Sequence, residues 1–278
     1  MIASSQLVTA FGITLLAGLA TGVGSAIAFF SRKTSFRFLA ISLGFSGGVM
    51  IYVSFVEILA TARDALAASF GPKVGELIAI GAFLGGVLLM GVVDNLVPAA
   101  ENPHEPRSAA DMDALREPAG DTPHQRRLLR MGLFTAGAIL FHNFPEGVVT
   151  FLAAIDNVSL GLAIGLAVAI HNIPEGISVS VPIYYATGNR RKAFILSFLT
   201  GLAEPAGGLV AFGVLWVVGA FQAPATMGVM FGLVAGTMVY ISLDELLPVA
   251  REYGKSHEVL FGIAAGMAVM GLSLVLLR

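Results

Sequence analysis

The stretch that decides how this chain folds is residues 131–185, which read MGLFTAGAILFHNFPEGVVTFLAAIDNVSLGLAIGLAVAIHNIPEGISVSVPIYY. It contains two apolar runs, 131–155 and 159–185, and each exceeds the roughly 20 residues that a helix needs to cross a bilayer. Near the middle of each run lies a polar block, HNFPEG at 142–147 and HNIPEG at 171–176. Ionisable groups are costly at that depth and mark functional sites. The stretch therefore predicts two consecutive transmembrane helices that each carry a functional block.

The rest of the chain has the composition of a membrane protein. Of its 278 residues, 56% are hydrophobic and 12% are charged, which is about half the charged fraction of a soluble domain. The mean hydropathy is +0.84. A formal net charge of −2 gives no reason to expect a nucleic-acid partner, and the absence of cysteine excludes disulfides and thiolate metal sites.

Apolar runs of transmembrane length recur along the whole chain. We therefore predict an all-α integral membrane protein, a single transmembrane domain over 1–278, in which helices 1 to 8 cover about 7–30, 36–60, 74–97, 131–155, 159–185, 193–221, 225–249 and 257–277. The segment 98–130 is rich in Pro, Asp, Glu and Arg. Such a composition favours a mobile loop over a folded domain.

The distribution of Lys and Arg predicts the orientation in the membrane. These residues collect in the segments that follow helices 1, 3, 5 and 7, whereas the segments on the other side contain only Arg63, Lys73 and Arg278. Segments rich in Lys and Arg face the cytoplasm. The loop 98–130 is therefore expected to be cytoplasmic, and both termini are expected to lie outside.

An internal repeat links helices 2 and 7. Residues 48–57 read GVMIYVSFVE and residues 236–245 read GTMVYISLDE, and the match continues to an Ala-Arg pair at 62–63 and 250–251. An odd number of helix steps separates the two copies, so they cross the membrane in opposite directions. Inverted repeats of this kind are typical of secondary transporters that work by alternating access.

Helical geometry places the polar side chains of each block on one face. At about 100° per residue, His142 and Glu146 lie about 40° apart, and Asn143 lies on the other side of Glu146. The second block repeats this pattern with His171, Asn172 and Glu175. One carboxylate can thus bridge two adjacent metal positions. Nitrogen and oxygen ligands without thiolate suit Zn²⁺, Fe²⁺, Mn²⁺ or Co²⁺.

The prolines in the blocks predict a disturbance of both helices. Pro145 and Pro174 lack an N–H, which frees the carbonyls of Phe141 and Ile170. Inside a bilayer such carbonyls must be satisfied by the protein or by a cavity, and broken helices often line transport sites.

Further acidic residues extend the candidate site and suggest a pathway. Glu204, in the sequence GLAEP of helix 6, is a third intramembrane carboxylate, and we expect it to be a metal ligand. Polar residues nearer the helix ends would attract a dication and pass it along. On the outer side the candidate is Glu57, and on the inner side the candidates are Asp94, Asn95, Asp244 and Glu245.

Two functional alternatives deserve comparison with transport. An intramembrane zinc metalloenzyme could use three protein ligands and a bound water. The sequence lacks HExxH, however, and its buried acids and histidines are all accounted for as ligands, so no general base is left. We therefore predict a transporter and not an enzyme. The second alternative, a transporter or channel that carries metal outward, is not excluded, because the sequence reveals neither the direction of transport nor the coupling ion.

The two HNxPEG blocks on consecutive helices, the Glu-Pro that follows and the long loop after helix 3 resemble the ZIP family of metal transporters, especially its bacterial ZupT-type and GufA-type members. The resemblance covers essentially the whole chain. It implies a 3+2+3 arrangement of helices, a homodimer in the lipid bilayer of a bacterial inner membrane, and uptake into the cytoplasm of zinc and also of iron, manganese, cobalt or cadmium. The metal is substrate, and no organic cofactor is expected.

The resemblance also implies a binuclear site. The first position would use His142, Glu146, His171 and Glu175, and the second would use Asn143, Glu146, Asn172, Glu175 and Glu204. Some members have Gln-Asp in place of His171-Asn172, which can change how metal is shared between the positions. The loop lacks the His-rich tract of many eukaryotic members, and its His104 and His124 are interpreted as solvated.

Overall fold

The computed structural model describes residues 4–30, 36–95, 123–219 and 223–277. Within these ranges the chain is helical and contains no strand, and eight helices are long and apolar enough to cross a membrane. The prediction of an all-α, multi-pass membrane fold is thereby confirmed.

The eight helices are numbered α1 to α8. α1 is Ser4–Phe30, α3 is Pro72–Asn95, α4 is Pro123–Asp156, α5 is Val158–Thr187 and α8 is Ser256–Leu277. Three helices change geometry along their length. α2 comprises Phe36–Val53, the π-helical turn Ser54–Ile58 and Leu59–Phe70; α6 comprises Arg190–Gly201 and Ala203–Val218; α7 comprises Pro224–Ile241, the π-helical turn Ser242–Leu246 and Leu247–Tyr253.

The boundary of α4 differs from the sequence expectation. The helix begins at Pro123 rather than at Met131, so the end of the predicted loop 98–130 is helical. Pro suits the first turn of a helix because its missing N–H has no intrahelical partner there. Residues 98–122, the remainder of that predicted loop, lie outside the described residues, as do residues 96–97 at the end of predicted helix 3.

Short, well-capped connections join α4, α5 and α6. The Asn157 side chain accepts from the N–H groups of Ser159 and Leu160 at 2.8 and 3.2 Å, which starts α5. α5 is capped at its C-terminus by Gly188, whose φ of 64° is a left-handed conformation that favours glycine. The two block-bearing helices are therefore antiparallel neighbours, which brings their midpoints to the same depth.

Glycines allow the helices to pack with their backbones in close contact. Gly24 of α1 faces the carbonyl oxygen of Ile173 in α5, and Gly207 of α6 faces that of Phe144 in α4. A Cβ at either glycine would overlap the carbonyl, so only glycine permits this approach. The α2–α8 and α7–α3 pairs repeat the pattern, with Gly48 against Ile263 and Gly236 against Phe83.

The motif helices lie at the centre of the bundle. In the apolar segments of α4 and α5, 72% and 67% of the residues are buried, whereas in those of α3 and α8 only 22% and 28% are buried. The exposed side chains of α3 and α8 are largely Leu, Val, Ile and Phe. In a bilayer such surfaces face lipid or another protein chain. The polar blocks are therefore enclosed by protein.

We expect Gly24→Ala to lower the thermal stability of the detergent-purified protein, because the added methyl group would overlap the carbonyl oxygen of Ile173. Overpacking of this kind costs about 1–3 kcal/mol. Gly12→Ala in the same helix is the matched control, because nothing lies within 4 Å of its added methyl group. The two midpoints of thermal unfolding should differ, and equal midpoints would contradict the packing described here.

Candidate metal site

The structure brings the predicted ligands together in the centre of the bundle. His142, Asn143 and Glu146 of α4 face His171, Asn172 and Glu175 of α5, and each of the six is fully buried. Glu204, at the start of the second part of α6, is also fully buried. The seven residues therefore share one interior region at the middle of the bundle.

Two contacts between the histidines and glutamates cross from one motif helix to the other. His142 Nε2 lies 3.0 Å from Glu175 Oε1, and His171 Nε2 lies 3.0 Å from Glu146 Oε1. The distances within each helix are longer, at 3.8 Å for His142–Glu146 and 4.0 Å for His171–Glu175. Each glutamate therefore contacts the histidine of the opposite block more closely than the one in its own helix.

Both motif helices continue through their prolines without interruption. Pro145 lies inside the single helix Pro123–Asp156, and Pro174 lies inside Val158–Thr187. Neither α4 nor α5 is broken at its proline, although the carbonyls of Phe141 and Ile170 still receive no N–H from Pro145 and Pro174. The interruption falls in α6 instead, at Leu202, just before Glu204 and Pro205. At this point the N–H of Leu202 donates to the carbonyl oxygen of Leu199 at 3.2 Å, and Pro205 has no N–H to donate to Gly201.

The asparagine amides anchor the motif helices to their neighbours. Asn143 Nδ2 donates to the carbonyl oxygen of Thr200 in α6 at 3.1 Å, and Asn172 Nδ2 donates to that of Ala17 in α1 at 3.0 Å. Asn172 Nδ2 also donates to Glu204 Oε1. Because the amide nitrogens are engaged in this way, the amide oxygens are left to face the interior.

Several oxygens in the cluster are buried and have no hydrogen-bond partner. They are Asn143 Oδ1, Glu146 Oε2, Asn172 Oδ1, Glu175 Oε2 and Glu204 Oε2. A buried polar atom without a partner costs about 1–3 kcal/mol, and more when it is charged. Within the described residues, no Lys or Arg pairs with the three glutamates. A dication would satisfy both the unpaired acceptors and the excess negative charge.

The side chains contact one another rather than a common centre. Within the ranges that the structure describes, no group of three or more His, Asp or Glu has the geometry of a preformed metal site. An ion at this cluster would replace the His–Glu hydrogen bonds by bonds of about 2.0–2.2 Å to nitrogen and oxygen. Binding would therefore require only local movement of side chains that already meet.

The predicted pathway residues lie in four different places. Glu245 contacts the cluster directly, with its Oε2 3.3 Å from His142 Nδ1. Asp94 accepts from the Tyr240 hydroxyl at 3.4 Å, and that phenol also interacts with Asp244. Asn95 is exposed and donates to Gly91 in its own helix at 2.7 Å. Glu57 is buried in the π-helical turn of α2, only 7% exposed.

Of the loop histidines, His104 lies outside the described residues, and His124 lies in the first turn of α4.

Thr21 of α1 was missed by the motif analysis. Its Oγ1 is buried and has no partner, and its backbone carbonyl approaches Gly176 in the way that the carbonyl of Glu204 approaches Gly147. Thr21 thus occupies, beside α5, the position that Glu204 occupies beside α4. A sequence signal exists, because residues 16–24 read LAGLATGVG and residues 199–207 read LTGLAEPAG.

Comparison with known proteins identifies the family. A family model described as "ZIP Zinc transporter" matches residues 98–274. The chain is 55% identical to "Zinc transporter ZupT" of Nitratidesulfovibrio vulgaris, with 99% of both chains covered. It is 50% identical to the protein of the same description from Chlorobium chlorochromatii, with 98% of this chain and 99% of the relative covered. The corresponding protein of Lysinibacillus sphaericus is 54% identical, with 96% and 97% covered.

If the two predicted metal positions are both filled, we expect Glu146→Gln and Glu175→Gln each to remove both ions, because the predicted ligand set assigns each carboxylate to both positions. Asn143→Ala and Asn172→Ala should remove only one ion. Isothermal titration of the purified protein with Zn²⁺ gives the stoichiometry. The surface variant Glu76→Gln, whose side chain is 40% exposed, is the control and should bind like the unmodified protein. Equal loss in the Asn and Glu variants would count against this geometry.

Proposed function

This chain belongs to the ZIP family of zinc transporters, and from that premise we propose that it carries Zn²⁺ into the cytoplasm through a binuclear site inside the membrane. Fe²⁺, Mn²⁺, Co²⁺ and Cd²⁺ are further substrates of the same site, because nitrogen and oxygen ligands accept them as well. The relatives are named as transporters, and the chain is a transporter rather than an enzyme.

One observation supports this proposal above the others. Three fully buried glutamates and two fully buried histidines meet in the middle of the bundle, and each glutamate has an oxygen without a partner. Such a cluster is costly in a membrane unless a cation uses it. A purely structural polar cluster would satisfy its acceptors from within the protein.

The two metal positions follow from the arrangement of the side chains. In the proposal, the imidazoles of His142 and His171 serve the first ion, and the amide oxygens of Asn143 and Asn172 serve the second. Glu146 and Glu175 bridge the ions, and the free oxygen of Glu204 adds a carboxylate to the second position. The mixed ligand set balances affinity against release, since a transporter must let its substrate leave.

The route to and from the site follows the acidic residues. On the outer side the ion passes Glu57, and on the inner side it passes Glu245 and then the group formed by Asp94, Asn95 and Asp244. Glu245 already contacts His142, so the inner route begins at the cluster itself. In the 3+2+3 arrangement, α4, α5 and α6 together with α1 move against α2, α3, α7 and α8, which gives alternating access.

The proposal also includes the cellular setting. The exposed apolar faces of α3 and α8 suit lipid or a second copy of the chain, and the assembly is a homodimer in a bacterial inner membrane. The loop 98–130 faces the cytoplasm and both termini face outside, following the distribution of Lys and Arg.

We expect purified protein in proteoliposomes to take up Zn²⁺ faster than protein-free liposomes, as measured with a zinc-sensitive dye in the lumen. Glu175→Gln should reduce the initial rate at least tenfold, because it removes the charge that bridges both positions. Glu76→Gln should transport normally. An unmodified protein no faster than empty liposomes would sink the proposal, as would a Glu175→Gln variant with normal uptake.

Alternating access can be tested without background labelling, because the chain has no cysteine. Ala138 and Ala167 lie four residues before the two histidines, on opposite sides of the site, because α4 and α5 are antiparallel. Single cysteines are placed at these two positions and labelled with an impermeant thiol reagent. When Zn²⁺ is added, the labelling rate should rise at one position and fall at the other. Changes in the same direction under every condition would indicate a fixed pore.

A further inference from the structure

The two π-helical turns occupy equivalent positions of the α2–α7 repeat. Ser54–Ile58 and Ser242–Leu246 bury the same three positions, a Ser, a Glu and an aliphatic residue. In each, the Ser hydroxyl donates at 2.7 Å to the carbonyl of a Met four residues earlier. Single π-turns inside α-helices occur frequently at functional sites. The two turns therefore present Glu57 and Glu245 in the same local geometry.

Glu245, the glutamate of the second π-helical turn, contacts a motif helix directly. Glu245 Oε2 lies 3.3 Å from His142 Nδ1, and the other ring nitrogen of His142 lies 3.0 Å from Glu175. His142 thus connects the cluster to α7. The side chains of His142 and Glu245 are 0% and 6% exposed, so this contact is shielded from water.

The close contacts of the bundle show which pair would be equivalent. The Asn143 amide donates to the backbone carbonyl of Thr200 in α6, and in the same way the Asn172 amide donates to that of Ala17 in α1. Gly147 packs on Glu204 as Gly176 packs on Thr21, and Gly236 packs on α3 as Gly48 packs on α8. These contacts relate α4 to α5, α6 to α1 and α7 to α2. The equivalent of His142–Glu245 is therefore His171–Glu57.

The structure departs from this equivalence at that contact. His171 Nδ1 donates to the carbonyl oxygen of Ala167 in its own helix at 3.0 Å, whereas His142 Nδ1 faces Glu245. The residue equivalent to Ala167 is Ala138, one turn before His142. A small cavity also lies beside Glu245, and it is lined by Leu43, Thr135, Ile139, Ser178, Leu246 and Val249. The side of the site next to Glu245 and the side next to Glu57 are thus in different arrangements.

We propose that His142–Glu245 and His171–Glu57 are mutually exclusive contacts, and that each one holds the transporter in one of its two facing states. Glu57 positions His171 in the facing state opposite to the one that the structure shows. In that state His171 turns from Ala167 to Glu57, and His142 turns from Glu245 to the carbonyl of Ala138. This inference rests on the proposed alternating access and adds the residues that hold its end states.

The chemistry of the exchange suits a transporter. One His–Glu contact replaces another of the same kind, so neither state gains a large energetic advantage from it. A large difference would trap the protein in one state, because a ligand shifts an equilibrium only by its differential affinity. Two π-turns with the same buried Glu provide this balance.

The test uses metal-free protein with single cysteines at Ala138 or Ala167, and it measures the ratio of their labelling rates. Glu245→Gln should lower the Ala138-to-Ala167 ratio by about tenfold, the effect expected for weakening one hydrogen bond to a charged group. Glu57→Gln should raise the ratio by about tenfold, and the double variant should restore it. Glu57→Asp, which keeps the charge but shortens the reach, should give a smaller change in the same direction as Glu57→Gln.

A second measurement separates these contacts from general effects on folding. His171→Ala should abolish the effect of Glu57→Gln on the ratio and leave the effect of Glu245→Gln, whereas His142→Ala should do the reverse. Glu76→Gln is the surface control and should leave the ratio unchanged. Shifts of the same sign in both glutamate variants, or additive effects in every pair, would overturn the proposal.

The outcome is distinguishable from a failure of the proposed function. Opposite shifts in a protein that does not take up Zn²⁺ would support the exchange of contacts and reject transport. Normal uptake with shifts of one sign would retain transport and reject the exchange.

Discussion

The reciprocal contacts between His142 and Glu175 and between His171 and Glu146 are the interaction on which the rest of the structure depends. Both distances are 3.0 Å, and all four side chains are fully buried. A bilayer offers no water to solvate such groups, so they must satisfy one another or a cation. This requirement holds α4 and α5 together at one depth and in one register.

The remaining helices provide the enclosure that this polar centre needs. α1 and α6 approach the motif helices through glycines, with Gly24 against Ile173 and Gly207 against Phe144. Close backbone approach brings carbonyl oxygens within reach of the asparagine amides, as in the contact of Asn143 with Thr200 at 3.1 Å. The polar blocks thus depend on the glycines, because the asparagine side-chain amides reach backbone carbonyls only where neighbouring helices are in close contact.

Particular residues show how far sequence reasoning reached. The eight apolar helices and the ZIP family could be inferred from length, composition and the two HNxPEG blocks, and both inferences are confirmed. The helical start at Pro123 was missed, because 123–130 is largely polar and precedes the apolar run that predicted the helix. The uninterrupted course of α4 through Pro145 was also missed, since a proline predicts a lost hydrogen bond but not whether the helix continues beyond it.

The sequence by itself determined the class of the protein, the number of its membrane crossings and the chemical identity of its polar centre. These properties follow from composition and from spacing along one helix, which are local. Only the tertiary structure decided that each histidine contacts the glutamate of the opposite block, and that Glu245 contacts His142 while His171 bonds Ala167. Those pairings depend on how antiparallel helices meet and on which of two similar arrangements is occupied, and helical periodicity carries no information about either.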